Sequence, residues 1–148
     1  MTKHDPDKFQ VSLKILLTKE GKNLILKDVP KSKYWKDKYD LPGGRINKKE
    51  ISIDFHQLID REIKEELGKN VKYKLRPDPV ALSKCRYPHE PSKLFILFEA
   101  KYLSGAIKIS DEHSSYKWVK INKEKIKKLF STVLQKLLLN YLKWNKQP

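Results

Sequence analysis

The sequence predicts a single α/β domain, and three observations carry that expectation. Residues 9–17 (FQVSLKILL), 23–26 (NLIL) and 93–103 (KLFILFEAKYL) are alternating or continuous apolar runs of strand length. Residues 55–67 and 131–144 instead repeat apolar side chains at helical spacing: Phe55, Leu58, Ile59, Ile63 and Leu67 in the first, and Val133, Leu134, Leu137, Leu138, Tyr141 and Leu142 in the second. A chain of 148 residues suits one domain spanning 1–148, large enough to bury a real core.

Residues 1–8 are polar, contain a proline and read as a loose arm. Residues 9–17 alternate and then become continuously apolar, as a strand partly covered on both faces does. Glu20, Gly21, Lys22 and Asn23 supply turn chemistry, so 23–26 reads as the antiparallel partner. Residues 30–38 (PKSKYWKDK) form a basic loop; Trp35 and Lys38 there could stack on and neutralise a nucleotide, or Trp35 could pack on the domain edge. Tyr39, Asp40 and Leu41 read as a short strand. Pro42, Gly43 and Gly44 then make a sharp turn that glycine backbone freedom allows. Asp54 looks like a helix N-cap with Gln57 completing a capping box, and Gly68 like the stop.

Residues 73–87 hold strand-like pieces broken by Pro77 and Pro79, and 93–103 is the strongest strand, turned at Ser104 and Gly105. On it, Phe95, Phe98 and Tyr102 read as one core face, with Glu99 on the face opposite Phe98. Residues 107–109 look like a short strand and 110–115 like a polar loop leading to Trp118, a core tryptophan; His113 reads as a loop or packing histidine. Residues 122–129 and 131–144 are helical, the latter a C-terminal helix with Ser131 as N-cap.

Lys and Arg total 33 against 18 Asp and Glu, a net charge of +15 that predicts attraction to polyanions such as nucleotides or RNA, or simply a lysine-solvated surface. One cysteine, Cys85, excludes an internal disulfide and a cysteine-based zinc site. No segment approaches the ~18 uninterrupted apolar residues of a membrane span, and the first residues lack the apolar stretch of a secretory signal, so a cytoplasmic protein without a membrane role is expected.

The chemistry concentrates in residues 41–69, LPGGRINKKEISIDFHQLIDREIKEELGK. Residues three and four apart on a helix are neighbours, which gathers Glu62, Glu65 and Glu66 on one face beside Arg61. Like charges so placed repel, and a hard divalent cation such as Mg²⁺, which takes oxygen ligands, would offset that repulsion.

This stretch resembles the Nudix box, G-x5-E-x7-R-E-U-x-E-E-x-G-U with U a bulky aliphatic. Gly44 and Glu50 fit its first half, and Arg61, Glu62, Ile63, Glu65, Glu66 and Gly68 its second. Two departures stand out. The spacer 51–60 has ten residues where the pattern has seven, which leaves the role of Glu50 open, and Lys69 replaces the last aliphatic, whose packing Val71 could take over.

The resemblance implies a Nudix-type α/β/α sandwich with a mixed central sheet and a C-terminal helix. It implies metal-dependent hydrolysis of a nucleoside diphosphate linked to another moiety. In the MutT-like branch the substrate is a nucleoside triphosphate, cut to monophosphate and pyrophosphate in nucleotide-pool sanitising. Glu62, Glu65 and Glu66 would bind Mg²⁺ or Mn²⁺ with the Gly43 carbonyl. Arg61 would orient the carboxylates. Glu112, six residues before Trp118, would be a further metal ligand or base, with Asp111 beside it as the fallback. Arg61, Glu65, Glu66 and Glu112 are thus the catalytic candidates, and Gly44, Arg45, Trp35 and Lys38 the substrate-binding ones. Hydrolysis of RNA 5′ ends, dinucleoside polyphosphates or ADP-ribose are alternative activities, and a non-catalytic nucleotide- or RNA-binding module is an alternative class. The protein is expected as a monomer or homodimer.

Overall fold

The structure, a computed structural model, describes residues 4–29, 38–86 and 91–145. Among the described residues, eight strands and three α-helices follow one another as β1 (Phe9–Lys19), β2 (Lys22–Asp28), β3 (Tyr39–Asp40), β4 (Gly43–Arg45), α1 (Phe55–Leu67), β5 (Lys72–Leu75), β6 (Ala81–Cys85), β7 (Ser92–Ser104), β8 (His113–Val119), α2 (Lys123–Leu129) and α3 (Thr132–Trp144).

One mixed sheet runs β3-β2-β1-β7-β5, with β4 also paired to β1, β6 to β7 and β8 to β2. Its centre is the long parallel pair β1 and β7, in register from Phe9 opposite Ser92 to Thr18 opposite Lys101; the other pairings are antiparallel. A parallel pair has both faces covered, which is why both strands read as nearly continuous apolar runs. Alternate residues of β1 feed two separate cores. Leu13, Ile15 and Leu17 pack with Leu58, Ile59, Ile63 and Leu67 of α1, whereas Leu16 packs with Ile126, Phe130, Leu134, Leu137 and Leu138 of the α2–α3 side. The sheet therefore lies between helix layers, as the α/β/α expectation requires.

Several local expectations change. Glu20 and Gly21 both take positive φ (51° and 77°), the primed hairpin turn that matches strand twist, so β1 and β2 extend to meet it. Asp54 caps α1 through its backbone carbonyl alone; the reciprocal side-chain contact occurs earlier, where the Asn47 N–H donates to Glu50 Oε1 at 2.9 Å. Ser131 likewise caps α3 without a side-chain bond. Phe55 is 42% exposed, not part of the buried stripe, because it sits at the helix entry, where its ring lies tilted against Phe98 with centroids 5.9 Å apart. Phe95 and Phe98 lie on opposite faces, since an odd spacing along a strand reverses the side: Phe95 joins the α3 core, and Phe98 with Tyr102 the α1 core. Residues 107–109 form no strand; they cross the end of α1, where the Lys108 N–H donates to the Leu67 carbonyl at 2.9 Å and the Ser110 N–H to the Glu66 carbonyl at 3.3 Å. Free carbonyls at a helix C-terminus need donors, and this loop supplies them. The arm is tied down at Asp7, whose carboxylate accepts from Ser92 and pairs with Arg86. No helix among the described residues is long and apolar enough to cross a membrane.

Candidate metal centre

Four segments converge at one end of α1. The apolar stripe Leu58, Ile59, Ile63 and Leu67 fixes the helix against the sheet, and that orientation turns Glu62 and Glu66 toward the β4 turn. Their side chains are 12% and 10% exposed, while Glu65, one step round the helix, is 61% exposed at the rim. The three carboxylates thus divide into an inner pair and an outer one.

Each inner carboxylate rests on a glycine. The Gly43 N–H donates to Glu66 Oε2 at 2.8 Å. Gly43 has φ +139° and packs so closely on β1 that a Cβ there would lie 2.0 Å from the Leu13 carbonyl oxygen. A Cβ on Gly44 would meet Glu62 Oε1 at 2.5 Å. The paired glycines are therefore explained by two different close approaches, one of backbone and one of a carboxylate.

Arg61 gathers the acids. Its guanidinium pairs with Glu50, with Glu62 Oε1 at 3.2 Å and with Glu65 Oε1 at 3.7 Å. Glu50 is buried at 6% exposure despite the long spacer. A single 3₁₀ turn (Lys48–Glu50) and a bend held by the Ile53 N–H on the Glu50 carbonyl put the added length on the surface, where Ile51 is 86% exposed.

The loop over the end of α1 brings up Glu112 and His113. One donor atom each from Glu66, Glu112 and His113 lie within 4.8 Å of one another. His113 Nδ1 sits 2.8 Å from Asp28 Oδ1, and its Nε2 lies 3.6 Å from Glu66 Oε1, an ion-pair separation beyond hydrogen-bond reach. Burial alone would lower the His113 pKa, but Asp28 and then Glu66 outweigh it and push it up to about 9. The Glu62 carboxyl is raised, first by burial and then by the charge of Glu66, with Arg61 opposing. Carboxylates repelling one another at the end of a helix suit a hard divalent cation: the donors are mostly oxygen, and a cation would relieve the repulsion that raises Glu62.

The remaining expected residues fall into place unevenly. Arg45 is exposed at the end of β4, one residue past Gly44. Lys38 reaches away, its Nζ donating to the Lys128 carbonyl at 3.5 Å. Trp35 lies outside the described residues. Asp111 is exposed and stands outside the cluster that contains Glu112. In the sequence His113 reads as a loop or packing histidine, and no motif points to Asp28 or Lys14. Lys14 alone left a trace, as a charge inside an apolar run; Asp28 reaches the site only through the pairing of β2 with β8.

A NUDIX domain profile matches residues 8–138. No curated protein matches the chain. Among solved structures, a MutT protein from Methanosarcina mazei Go1 superposes with TM-score 0.74 at 24% identity, covering 97% of this chain and 100% of that one. A NUDIX hydrolase from Nitrosomonas europaea gives 0.70 at 16%, covering 95% and 93%. An ADP-ribose pyrophosphatase from Streptococcus suis 89-1591 gives 0.63 at 14%, covering 95% and 94%.

Proposed function

This chain belongs to the NUDIX domain family and is a Nudix hydrolase, and on that premise we propose that it hydrolyses nucleoside triphosphates to monophosphate and pyrophosphate in a Mg²⁺-dependent reaction. The observation that carries the reading is the inner carboxylate pair, Glu62 and Glu66, seated on Gly44 and Gly43, with Glu112 and His113 gathered beside Glu66.

Glu62, Glu66 and Glu112 would hold the metal, with Glu65 at the rim and the Gly43 carbonyl as a neutral oxygen. A bound Mg²⁺ or Mn²⁺ supplies charge neutralisation for the diphosphate and a water of lowered pKa. Arg61 holds Glu50, Glu62 and Glu65 in one arrangement, so the carboxylates need no reorganisation as substrate arrives. The Gly43 N–H occupies Glu66 Oε2 and keeps that carboxylate aimed. Glu112, clustered with Glu66 and His113, would serve as a further oxygen ligand or, left off the metal, as the base that takes a proton from the attacking water. Arg45, exposed at the end of β4, and Gly44 would contact the polyphosphate, and the net charge of +15 would raise the local concentration of such an anion.

The test is release of phosphate or pyrophosphate from dNTPs, oxidised dGTP, dinucleoside polyphosphates, ADP-ribose and triphosphorylated RNA in Mg²⁺. The reading expects turnover of nucleoside triphosphates with pyrophosphate as product, and its loss in Glu66→Gln. Preferred cleavage of ADP-ribose, or full activity in that variant, would overturn it. The basic surface favours one second reading, hydrolysis at RNA 5′ ends, which the RNA arm detects.

A further inference from the structure

Lys14 is a buried lysine in the middle of β1, 9% exposed, on the strand whose backbone carries the β4 turn. Its ammonium lies 2.9 Å from Asp40 Oδ1, 3.1 Å from Asp40 Oδ2 and 3.5 Å from the Leu41 carbonyl oxygen. Asp40 Oδ1 also accepts from the Leu41 N–H at 2.7 Å. Next along, the Ile15 N–H donates to the Pro42 carbonyl at 2.8 Å, and Gly43, opposite Lys14 across the strand pair, donates its N–H to Glu66. An unbroken run of contacts therefore leads from one ammonium, through residues 40–43, to the carboxylate of Glu66.

Burying a lysine is costly unless it is paired. A methionine would fill the same apolar layer without that cost, so the charge needs a reason beyond packing. Burial alone would lower the Lys14 pKa, but Asp40 and the more distant Glu66 and Asp28 hold it raised and the ammonium charged. We infer that Lys14 is a positioning residue: clamped on Asp40 and the Leu41 carbonyl, it fixes residues 40–43 against β1 and so aims the Gly43 N–H that orients Glu66 for metal binding. It does not touch the substrate. The inference rests on the metal-site reading of Glu66, and it extends the site by one layer, in the way that partners of metal-binding carboxylates govern affinity.

The experiment measures Mn²⁺ binding to the nucleotide-free protein by electron paramagnetic resonance, alongside the melting temperature. Lys14→Met leaves behind the Leu41 carbonyl and Asp40, whose side chain is 28% exposed and can be solvated, so the variant is expected to fold, which the melting temperature checks. It should weaken Mn²⁺ binding by about 10- to 100-fold, the range for loss of a ligand's supporting partner. Asp40→Asn is the second variant and weakens binding in the same direction. The double variant should be no weaker than the worse single, because both changes break one strut. Leu137→Ala, which lowers stability from the α3 core, should leave Mn²⁺ affinity within about two-fold of wild type, since packing losses alone do not reach the carboxylates. Wild-type affinity in Lys14→Met, additive losses in the double variant, or an equal loss in Leu137→Ala would each overturn the inference. Failure of the wild-type protein to bind Mn²⁺ would overturn the metal site itself, and this inference with it.

Discussion

Gly43 and Gly44 are adjacent, yet replacing each by alanine should produce opposite phenotypes. At Gly44 the backbone φ is not positive, so an alanine suits the chain. Its Cβ would lie 2.5 Å from Glu62 Oε1, where ordinary contact needs 3.4 Å, so the carboxylate must retreat by about 0.9 Å. A displacement of that size at a reacting centre can cost ~100-fold in rate. Gly44→Ala should therefore fold with a melting temperature close to wild type and lose about 10- to 100-fold in kcat/KM, with the Mg²⁺ concentration for half-maximal rate raised. At Gly43 the obstacle is backbone: φ +139° and a Cβ 2.0 Å from the Leu13 carbonyl oxygen. No rotamer relieves that, and Gly43→Ala should lose roughly 3 kcal/mol or more of stability by strain and overpacking together. The assay pairs thermal melts with initial rates across a Mg²⁺ titration. Wild-type rate and Mg²⁺ dependence in Gly44→Ala would refute the argument that Glu62 must sit where it does; equal destabilisation of both variants would refute the distinction between the two close approaches.

Other outcomes follow from the same geometry. Glu50→Gln, which removes the buried partner of Arg61, should cost about 1–2 kcal/mol, the guanidinium being 40% exposed, and lower kcat about ten-fold, read by melts and steady-state rates. Chelation with EDTA should abolish turnover reversibly while circular dichroism stays unchanged, because both apolar cores form without any site carboxylate. The Tyr73 and Tyr141 hydroxyls are pushed above the usual tyrosine range, first by burial and then by their bonds to Asp60 and Glu99. The folded state thus holds those protons more tightly than the unfolded one, whose tyrosines titrate near ~10, so their stabilisation is full below that pH and fades above it. The melting-temperature advantage of wild type over the Tyr73→Phe/Tyr141→Phe double variant should therefore narrow as pH rises beyond about 10; an advantage constant to pH 11 would contradict the assignment.

How much of this was legible in the sequence depended on range. The helix with its carboxylates could be read because its periodicity and its motif are local: Leu58, Ile59, Ile63 and Leu67 define the buried face, and Glu62 and Glu66 follow from it. The two-layer burial of β1 was visible as an apolar run. What escaped was set by pairing. His113 meets Asp28 because β8 lies beside β2, with a register shift at Lys27 and Asp28 that no local pattern announces. Residues 107–109 alternate like a strand, but the open carbonyl of Leu67 claims the Lys108 N–H and that of Glu66 the N–H of Ser110 just beyond. Phe95 and Phe98 show the limit of listing aromatics without counting parity along the strand.

The bend between Glu50 and Asp54 bears on how such motifs diverge. The ion pair of Glu50 with Arg61 is made by two side-chain tips, not by a fixed number of intervening backbone steps, and the surplus residues 51–53 form an exposed bend tied back by the Ile53 N–H on the Glu50 carbonyl. Insertions there are therefore close to neutral in free energy, since lengthening a surface loop adds little closure entropy. A consensus written with a rigid spacer penalises just the segment that natural selection has least reason to hold constant, and sequences of this kind are better recognised by the two anchored ends than by the distance between them.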